Sequence, residues 1–212
     1  MIPDPLGDGV RWLRTGGLLA YPTETVWGLA ADATSEAGVA LLLSWKGRGE
    51  ADPLAILVEI AADLPRLGFE LGREAKRLVS LFWPGPLTLV LPCRERYAPG
   101  VARADGAVGV RCSSHPLAAA LARRLRTDQV GPITATSLNR SGAPPARTRA
   151  DAELVCDHEP DQPRLLAVNG AEAGGDAAST VVDLTSARPV VLRWGALTAD
   201  TLEPVLAELA GA

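Results

Sequence analysis

The sequence predicts a single α/β domain built on a twisted sheet of mixed parallel and antiparallel strands, with helices packed on it. Three observations carry this prediction. Helical and strand patterns alternate over the first two thirds of the chain, whereas the last third is rich in strands. Hydrophobic residues make up 47% of the 212 residues and charged residues 22%, which suits a globular core. No shift in composition marks a boundary, so residues 1–212 are expected to form one domain.

Six helices are predicted from apolar residues that recur three or four positions apart. The second has Thr34 or Ser35 as a plausible N-cap, and the fourth begins with Pro116, which suits a first helical position. The predicted ranges are 8–15, 35–45, 73–82, 116–126, 148–156 and 198–209.

Eight short, β-prone runs separate or follow these helices. Proline and glycine punctuate the chain throughout, so the strands are expected to be short. The predicted ranges are 18–21, 54–58, 87–91, 107–111, 133–135, 165–168, 180–184 and 190–193.

Composition excludes several classes of protein. A net charge of −4 gives no global basic field, which disfavours a broad nucleic-acid footprint. Three cysteines without a CxxC pair, and only two histidines, indicate reduced thiols rather than a zinc site. Neither a signal sequence nor an apolar run of about 20 residues is found, so a cytoplasmic protein without a membrane span is expected.

Three polar clusters stand out against this background. The stretch 21–29, YPTETVWGL, places hydroxyls and a carboxylate where a strand opens into a loop. Lys46-Gly-Arg48 follows about twenty residues later, and Ser137-Leu-Asn-Arg-Ser-Gly142 lies far downstream. Together these clusters predict one polar cavity for an anionic nucleotide and a small amino acid.

The positive charge of this cavity is predicted from four side chains. Lys46 and Arg48 are two positions apart, so both can face one space, and Arg111 and Arg193 each end an apolar strand. Displacement at an anionic phosphate needs charge neutralisation and positioning more than a dedicated base. No GxxxxGK[ST] loop occurs, so side chains must bind much of the phosphate.

The residues alone leave structural alternatives open. Lys46 and Arg48 could be a solvated helix end, where cations favour the helix dipole. Residues 23–25 could serve a turn or a cap, and residues 137–141 could be an ordinary polar loop. His115 could cap the helix that begins at the following proline rather than contact a ligand.

Seven blocks in one order give the chain a specific resemblance. They are residues 21–29, 46–48, 82–91, 108–116, 137–142, 179–183 and 191–195. With these blocks the chain resembles the threonylcarbamoyl-AMP synthase family, whose domain is called YrdC-like. The resemblance runs from about residue 10 to 198 and implies a single YrdC-like domain, in the short form without the extra C-terminal domain of longer relatives.

The resemblance implies a two-stage reaction. Threonine and bicarbonate give N-carboxy-threonine, whose carboxylate attacks the α-phosphate of ATP, and pyrophosphate leaves. The implied cofactor is Mg²⁺ bound with ATP, and the implied partner is a transferase that moves the threonylcarbamoyl group to tRNA. A weak contact with tRNA itself is also possible, and no membrane is involved.

The resemblance also assigns roles to residues. The catalytic set is Lys46, Arg48, Ser137 and Asn139. The ATP-binding set is Arg48, Asp52, Arg111, Ser137 and Arg193. The threonine-binding set is Thr25, His115, Ala135 and Ser179, and no protein ligand is assigned to the metal.

Departures from the family pattern keep other functions open. Trp27 replaces a usual tyrosine, Gly49 replaces a usual proline, and Leu57 stands where the family often has histidine. The last change predicts an altered or weaker choice of amino acid.

Two other functions remain as alternatives. A non-catalytic RNA-binding or ribosome-assembly module is one alternative. Another is carbamoyl-adenylate chemistry as in hydrogenase maturation, although the acylphosphatase and zinc-finger modules that accompany it are absent from this sequence.

Overall fold

The computed structural model describes residues 3–49, 53–156 and 161–210, and these form one mixed sheet with helices on both faces. The strands are β1 Leu19–Tyr21, β2 Gly28–Ala30, β3 Ala55–Val58, β4 Leu87–Pro92, β5 Ala107–Cys112, β6 Ile133–Ser137, β7 Arg164–Leu165, β8 Thr180–Asp183 and β9 Val190–Arg193. Their order across the sheet is β7-β1-β2-β6-β3-β5-β4-β8-β9. The pairs β1–β7, β3–β5 and β4–β8 are parallel, and the other neighbours are antiparallel.

Six α-helices and one 3₁₀ helix precede, join or follow the strands in the described residues. They are α1 Pro5–Arg14, α2 Glu36–Lys46, α3 Arg73–Phe82, α4 Pro116–Thr127, α5 Arg149–Val155 and α6 Ala199–Ala210, with the 3₁₀ helix at Ala61–Leu67. Within the described ranges, none of these helices has the length and apolar character needed to cross a membrane.

Local sequence explains where several helices begin and end. Asp4 caps α1 by accepting a hydrogen bond from the Gly7 amide, so the helix starts before residue 8. The Ser35 hydroxyl accepts from the Gly38 amide at the start of α2. Gly47 ends that helix in the left-handed conformation, with φ at 67°, where glycine has no steric cost.

Side chains alternate between the two faces of the sheet. On β4, Leu87, Leu89 and Leu91 enter the larger core cluster, which α2 joins through residues such as Val39. Thr88 lies between those leucines and therefore points to the opposite face. One part of that opposite face packs against helices, and another part lines a cavity.

Helices α1 and α4 cover one part of this second face of the sheet. A second core cluster joins Val10 and Leu13 of α1 to Leu121 of α4 and to sheet residues such as Ile133. The remaining part of that face has no helix above it among the described residues. It forms the floor of a cavity.

The predicted fold class, a single α/β domain with a mixed sheet, is confirmed. Every predicted helix is present, and the ends differ by three residues at most. The prediction missed β2, because Gly28-Leu-Ala is too short to show a period, and it missed the 3₁₀ helix. The strand expected at 165–168 is the two-residue β7, and its pairing with β1 ends at the hydrogen bond from the Leu166 amide to the Ala20 carbonyl.

Candidate active site

The cavity lies on the part of the sheet face that α1 and α4 leave uncovered and has a volume of about 350 Å³. Its floor is made of small residues on four adjacent strands: Gly28, Ala55, Gly109 and Ala135. Its walls carry five basic side chains, Lys46, Arg48, Arg103, Arg111 and Arg193. No aspartate or glutamate lines it among residues 3–49, 53–156 and 161–210. The cavity is therefore built for an anion.

Lys46 is the last residue of α2, and its side chain turns inward. Its Nζ donates to the carbonyl oxygen of Ser137 at 2.6 Å and to that of Asn139 at 2.9 Å, and the Oδ1 of Asn139 lies 3.2 Å away. The residue is only 4% exposed. Burial, aided by the positive charge of Arg48, lowers the pKa of Lys46 to about 8.

The turn that accepts these bonds is held by its own side chains. Ser137 donates its hydroxyl to Asn139 Oδ1 at 2.6 Å. The amide nitrogen of Asn139 donates to the carbonyls of Arg140 and Ala143 at 3.0 and 2.7 Å. Lys46 and Asn139 therefore fix the shape of this turn, which presents the Ser137 side chain on the cavity wall.

Arg193 lies on the edge strand β9. Its guanidinium donates from Nη2 to the carbonyl of Ser179 at 2.8 Å and from Nε to the same oxygen at 3.2 Å. Burial of the group and the positive charges of Arg111 and Arg48 lower the pKa of Arg193. These three arginines are thus close enough to repel one another, a cost that a bound anion would relieve.

Arg111 lies on β5 and is 9% exposed. Its Nη2 donates to Thr25 Oγ1 at 2.6 Å and to Glu24 Oε1 at 3.0 Å. Burial alone would raise the pKa of Glu24, but the charge of Arg111 and a hydrogen bond from Ser113 outweigh it and hold that pKa below its ordinary value. Glu24 is therefore ionised at neutral pH.

The four predicted threonine-binding residues fall in two places. Ala135 and Ser179 line the cavity. Thr25 is fully buried behind the wall, where it accepts from Arg111. His115 caps α4, with Nδ1 accepting from the Leu117 amide at 3.2 Å and Nε2 lying 2.9 Å from the Glu172 carbonyl. Direct contact of Thr25 and His115 with threonine stays a prediction.

The predicted catalytic residues all line the cavity, as do four of the five predicted ATP-binding residues. Asp52, the fifth, lies outside the described residues. Leu57 does not line the cavity. It is 3% exposed and packs in the apolar cluster beneath α4, so the change from the family's histidine falls outside the cavity wall.

The wall also carries residues that were not predicted, among them Thr88 and Arg103. Thr88 lies opposite Arg111 on the neighbouring strand, and its Oγ1 is 2.9 Å from Ser179 Oγ. The alternation of residues 87–91 contains this signal, because Thr88 interrupts a run of leucines with period two. Arg103 pairs with Asp183 at 2.5 Å and with Asp105 at 2.6 Å, and no short motif marks it.

An open-faced α/β sheet that holds clustered cations over a floor of small residues defines a domain suited to phosphorylated or carboxylated ligands. A family model described as Telomere recombination, Sua5_yciO_yrdC, matches residues 11–195. The chain belongs to this family.

Curated relatives share about a third of the sequence. A protein of Mycobacterium tuberculosis named putative threonylcarbamoyl-AMP synthase is 36% identical over 194 residues, which cover 92% of this chain and 85% of the relative. The threonylcarbamoyl-AMP synthase of Pyrococcus abyssi is 36% identical over 93% of this chain and 56% of its own length. The chain thus spans little more than half of that longer relative.

Solved structures of other proteins share this fold. P. abyssi Sua5 complexed with L-threonine has a TM-score of 0.83 and 34% identity, covering 98% of this chain and 59% of that one. Escherichia coli YciO has a TM-score of 0.78 at 20% identity over 94% of both chains, a likeness that shows the fold alone.

Proposed function

We propose that this chain is an L-threonylcarbamoyl-AMP synthase, which forms threonylcarbamoyl-AMP and pyrophosphate from L-threonine, bicarbonate and ATP. The observation that carries the proposal is the convergence of Arg48, Arg111 and Arg193 on one cavity in a member of this family. Relatives that bear this enzyme name match more than nine tenths of the chain.

The chemistry follows from the charges. Threonine and bicarbonate combine with loss of water to give a carbamate, and one oxygen of that carbamate forms a bond to the α-phosphorus while the bond to pyrophosphate breaks. An anion thus attacks an anion, so the main barrier is electrostatic. Arg48 and Arg193 neutralise phosphate charge at this wall.

The described wall does not form a metal site of its own. Mg²⁺ binds oxygen ligands, usually one or two carboxylates together with substrate phosphates. The lining residues described here supply no carboxylate, and no cluster of metal-ligating side chains is found among the described residues. We therefore propose that Mg²⁺ enters with the phosphates of ATP.

The product is a mixed anhydride, so an enzyme that transfers its acyl group must act downstream. We propose that this partner is a tRNA threonylcarbamoyl transferase. Contact of this chain with tRNA itself would be weak, because the net charge of −4 gives little attraction for a polyanion outside the cavity.

The test is direct. The protein is incubated with ATP, Mg²⁺ and bicarbonate, together with threonine, serine, valine or 2-aminobutyrate, and pyrophosphate and the acyl-adenylate are measured. Threonine is expected to be preferred by at least about tenfold over valine and 2-aminobutyrate, because buried polar groups that read a hydroxyl reject ligands without one. Equal use of 2-aminobutyrate would refute the threonine assignment, and absence of any acyl-adenylate would refute the reaction.

A further inference from the structure

The guanidinium of Arg111 is bonded on one side only. Its Nη2 donates to Thr25 Oγ1 and to Glu24 Oε1, whereas the buried Nε has no hydrogen-bond partner among the described residues. Arg111 also lines the cavity. Thus the loop between β1 and β2 holds Nη2, while the arginine as a whole lines the cavity in which a ligand would bind.

The direction of each hydrogen bond in that loop can be worked out. The single hydroxyl hydrogen of Thr23 is donated to the Val26 carbonyl at 2.7 Å. Thr25 must therefore donate its own hydroxyl hydrogen to Thr23 Oγ1, 2.8 Å away. The oxygen of Thr25 is then left to accept from Arg111. In this arrangement Thr25 orients the arginine.

Glu24 is oriented from two sides. One carboxylate oxygen accepts from Arg111, and the other accepts a short hydrogen bond from the Ser113 hydroxyl. The Glu24 side chain is 15% exposed and that of Arg111 is 10% exposed, so water screens the pair little. A carboxylate held in this way fixes the position of the arginine.

The backbone of the loop is held as well. The Gly174 amide donates to the Thr23 carbonyl at 2.8 Å. A Cβ added at Gly174 would lie 3.0 Å from the Cα of Glu24, and one at Gly175 would lie 3.0 Å from the Glu24 carbonyl oxygen. The two glycines therefore allow a close backbone contact that keeps Glu24 in place.

We propose that Glu24 is a positioning residue, which, oriented by Ser113, holds the Arg111 guanidinium in a fixed orientation at the cavity wall. The inference rests on the proposed function for its catalytic consequence. Its structural part concerns Arg111 alone and can be tested without turnover. Glu24 acts through the arginine and does not itself contact the substrate.

The structural test observes the guanidinium directly. Nitrogen-15 NMR of Arg111 reports whether rotation of its terminal nitrogens is hindered. Hindered rotation is expected in the wild type and is expected to be lost in Glu24→Gln. The matched control is Glu59→Gln, since the Glu59 side chain is also largely buried, at 6% exposed, and pairs with Arg123 and Arg126 away from the cavity. Unchanged hindrance in Glu24→Gln would overturn the proposal.

The catalytic test is a double-mutant cycle on threonine-dependent pyrophosphate release. Glu24→Gln is expected to lower kcat/KM by at least about tenfold, whereas in an Arg111→Ala background it should change kcat/KM by less than about twofold. Equal effects in both backgrounds would mean that Glu24 acts on the substrate directly, and the proposal would fall.

Ser113→Ala keeps the proposal testable if Glu24→Gln does not fold. It removes one hydrogen bond to the carboxylate and should lower kcat/KM about two- to fivefold, again only when Arg111 is present. An effect that persists without Arg111 would contradict the proposal. If the wild type releases no pyrophosphate, the proposed function fails, and the NMR result still decides whether Glu24 positions Arg111.

Discussion

Lys46 and Arg111 are both buried cations on the cavity wall, but they are stabilised in opposite ways. Lys46 donates to carbonyl and amide oxygens of the turn at residues 137–139, which carry no charge. Arg111 pairs with the carboxylate of Glu24 and with a threonine hydroxyl. The charge of Lys46 therefore has no carboxylate partner, whereas the charge of Arg111 is balanced by that of Glu24, which also orients the guanidinium. The difference predicts different responses to mutation.

The largest expected effect is that of Arg111→Ala. Loss of the ligand contact should lower kcat/KM by about 10²–10³, or about 2.7–4 kcal/mol of transition-state stabilisation. The variant should also be less stable, because Glu24 would be left as a buried, unpaired carboxylate. Steady-state kinetics and chemical denaturation measure the two effects. Wild-type kinetics in a folded variant would contradict the assignment.

Lys46→Met should lower activity but, unlike Arg111→Ala, should leave stability almost unchanged. Activity is expected to fall by about 10- to 100-fold, because the turn at residues 137–139 loses the hydrogen bonds of a charged donor. Stability should change little, since the cost of burying an uncompensated charge disappears with the charge. The same two measurements apply. A loss of stability as large as that of Arg111→Ala would remove the distinction between the two cations.

The pH dependence of stability sharpens the comparison. Burial lowers the pKa of Lys46 from 10.5 to about 8, so between these values the unfolded chain holds a proton that the folded chain has lost. The contribution of Lys46 to the free energy of unfolding must therefore rise with pH across that window. Denaturation of the wild type and Lys46→Met, measured from pH 8 to 10, should differ in slope with this sign. Identical slopes would contradict the uncompensated charge.

The smallest expected effect concerns Thr88, which lies beside Arg111 on β4. Thr88→Val removes its hydrogen bond to Ser179 and should cost about 1 kcal/mol, or roughly fivefold in kcat/KM. Thr134→Val is the matched control, because Thr134 is equally buried but its hydroxyl accepts from the Ala31 amide. An equal loss of activity in both variants would indicate a general effect on folding rather than a role at the cavity.

The sequence predicted the members of the site better than their arrangement. The blocks at 46–48 and 137–142 were correctly expected to meet at one cavity. The direction of Lys46 toward backbone oxygens 91 and 93 positions away could not be predicted, because that contact depends on how α2 and β6 pack. Sequence patterns report periodicity and local caps, and long-range hydrogen bonds leave little local signal.

Thr25 and Leu57 show the same limit. A threonine beside a glutamate in a loop suggests a ligand group, and contact of Thr25 with threonine stays a prediction, but its hydrogen bond from an arginine 86 positions away leaves no local signal. Leu57 was interpreted as a change in the amino-acid pocket, yet it packs beneath α4. In both cases the residue type was informative, but which neighbour it met was decided by the register of distant strands.

The depth of the cavity is set by the four small residues on its floor, Gly28, Ala55, Gly109 and Ala135. A Cβ at Gly109 would lie 3.0 Å from that of Ala55, and one at Gly28 would lie 2.8 Å from the ring of Tyr21. A methyl group at either glycine would therefore press against a neighbouring residue of the cavity, Ala55 or Tyr21, and its three nearest atoms belong to no charged side chain. Substitutions on the floor can thus change the size of the ligand that the cavity admits, and substitutions on the walls can separately change its affinity for phosphate.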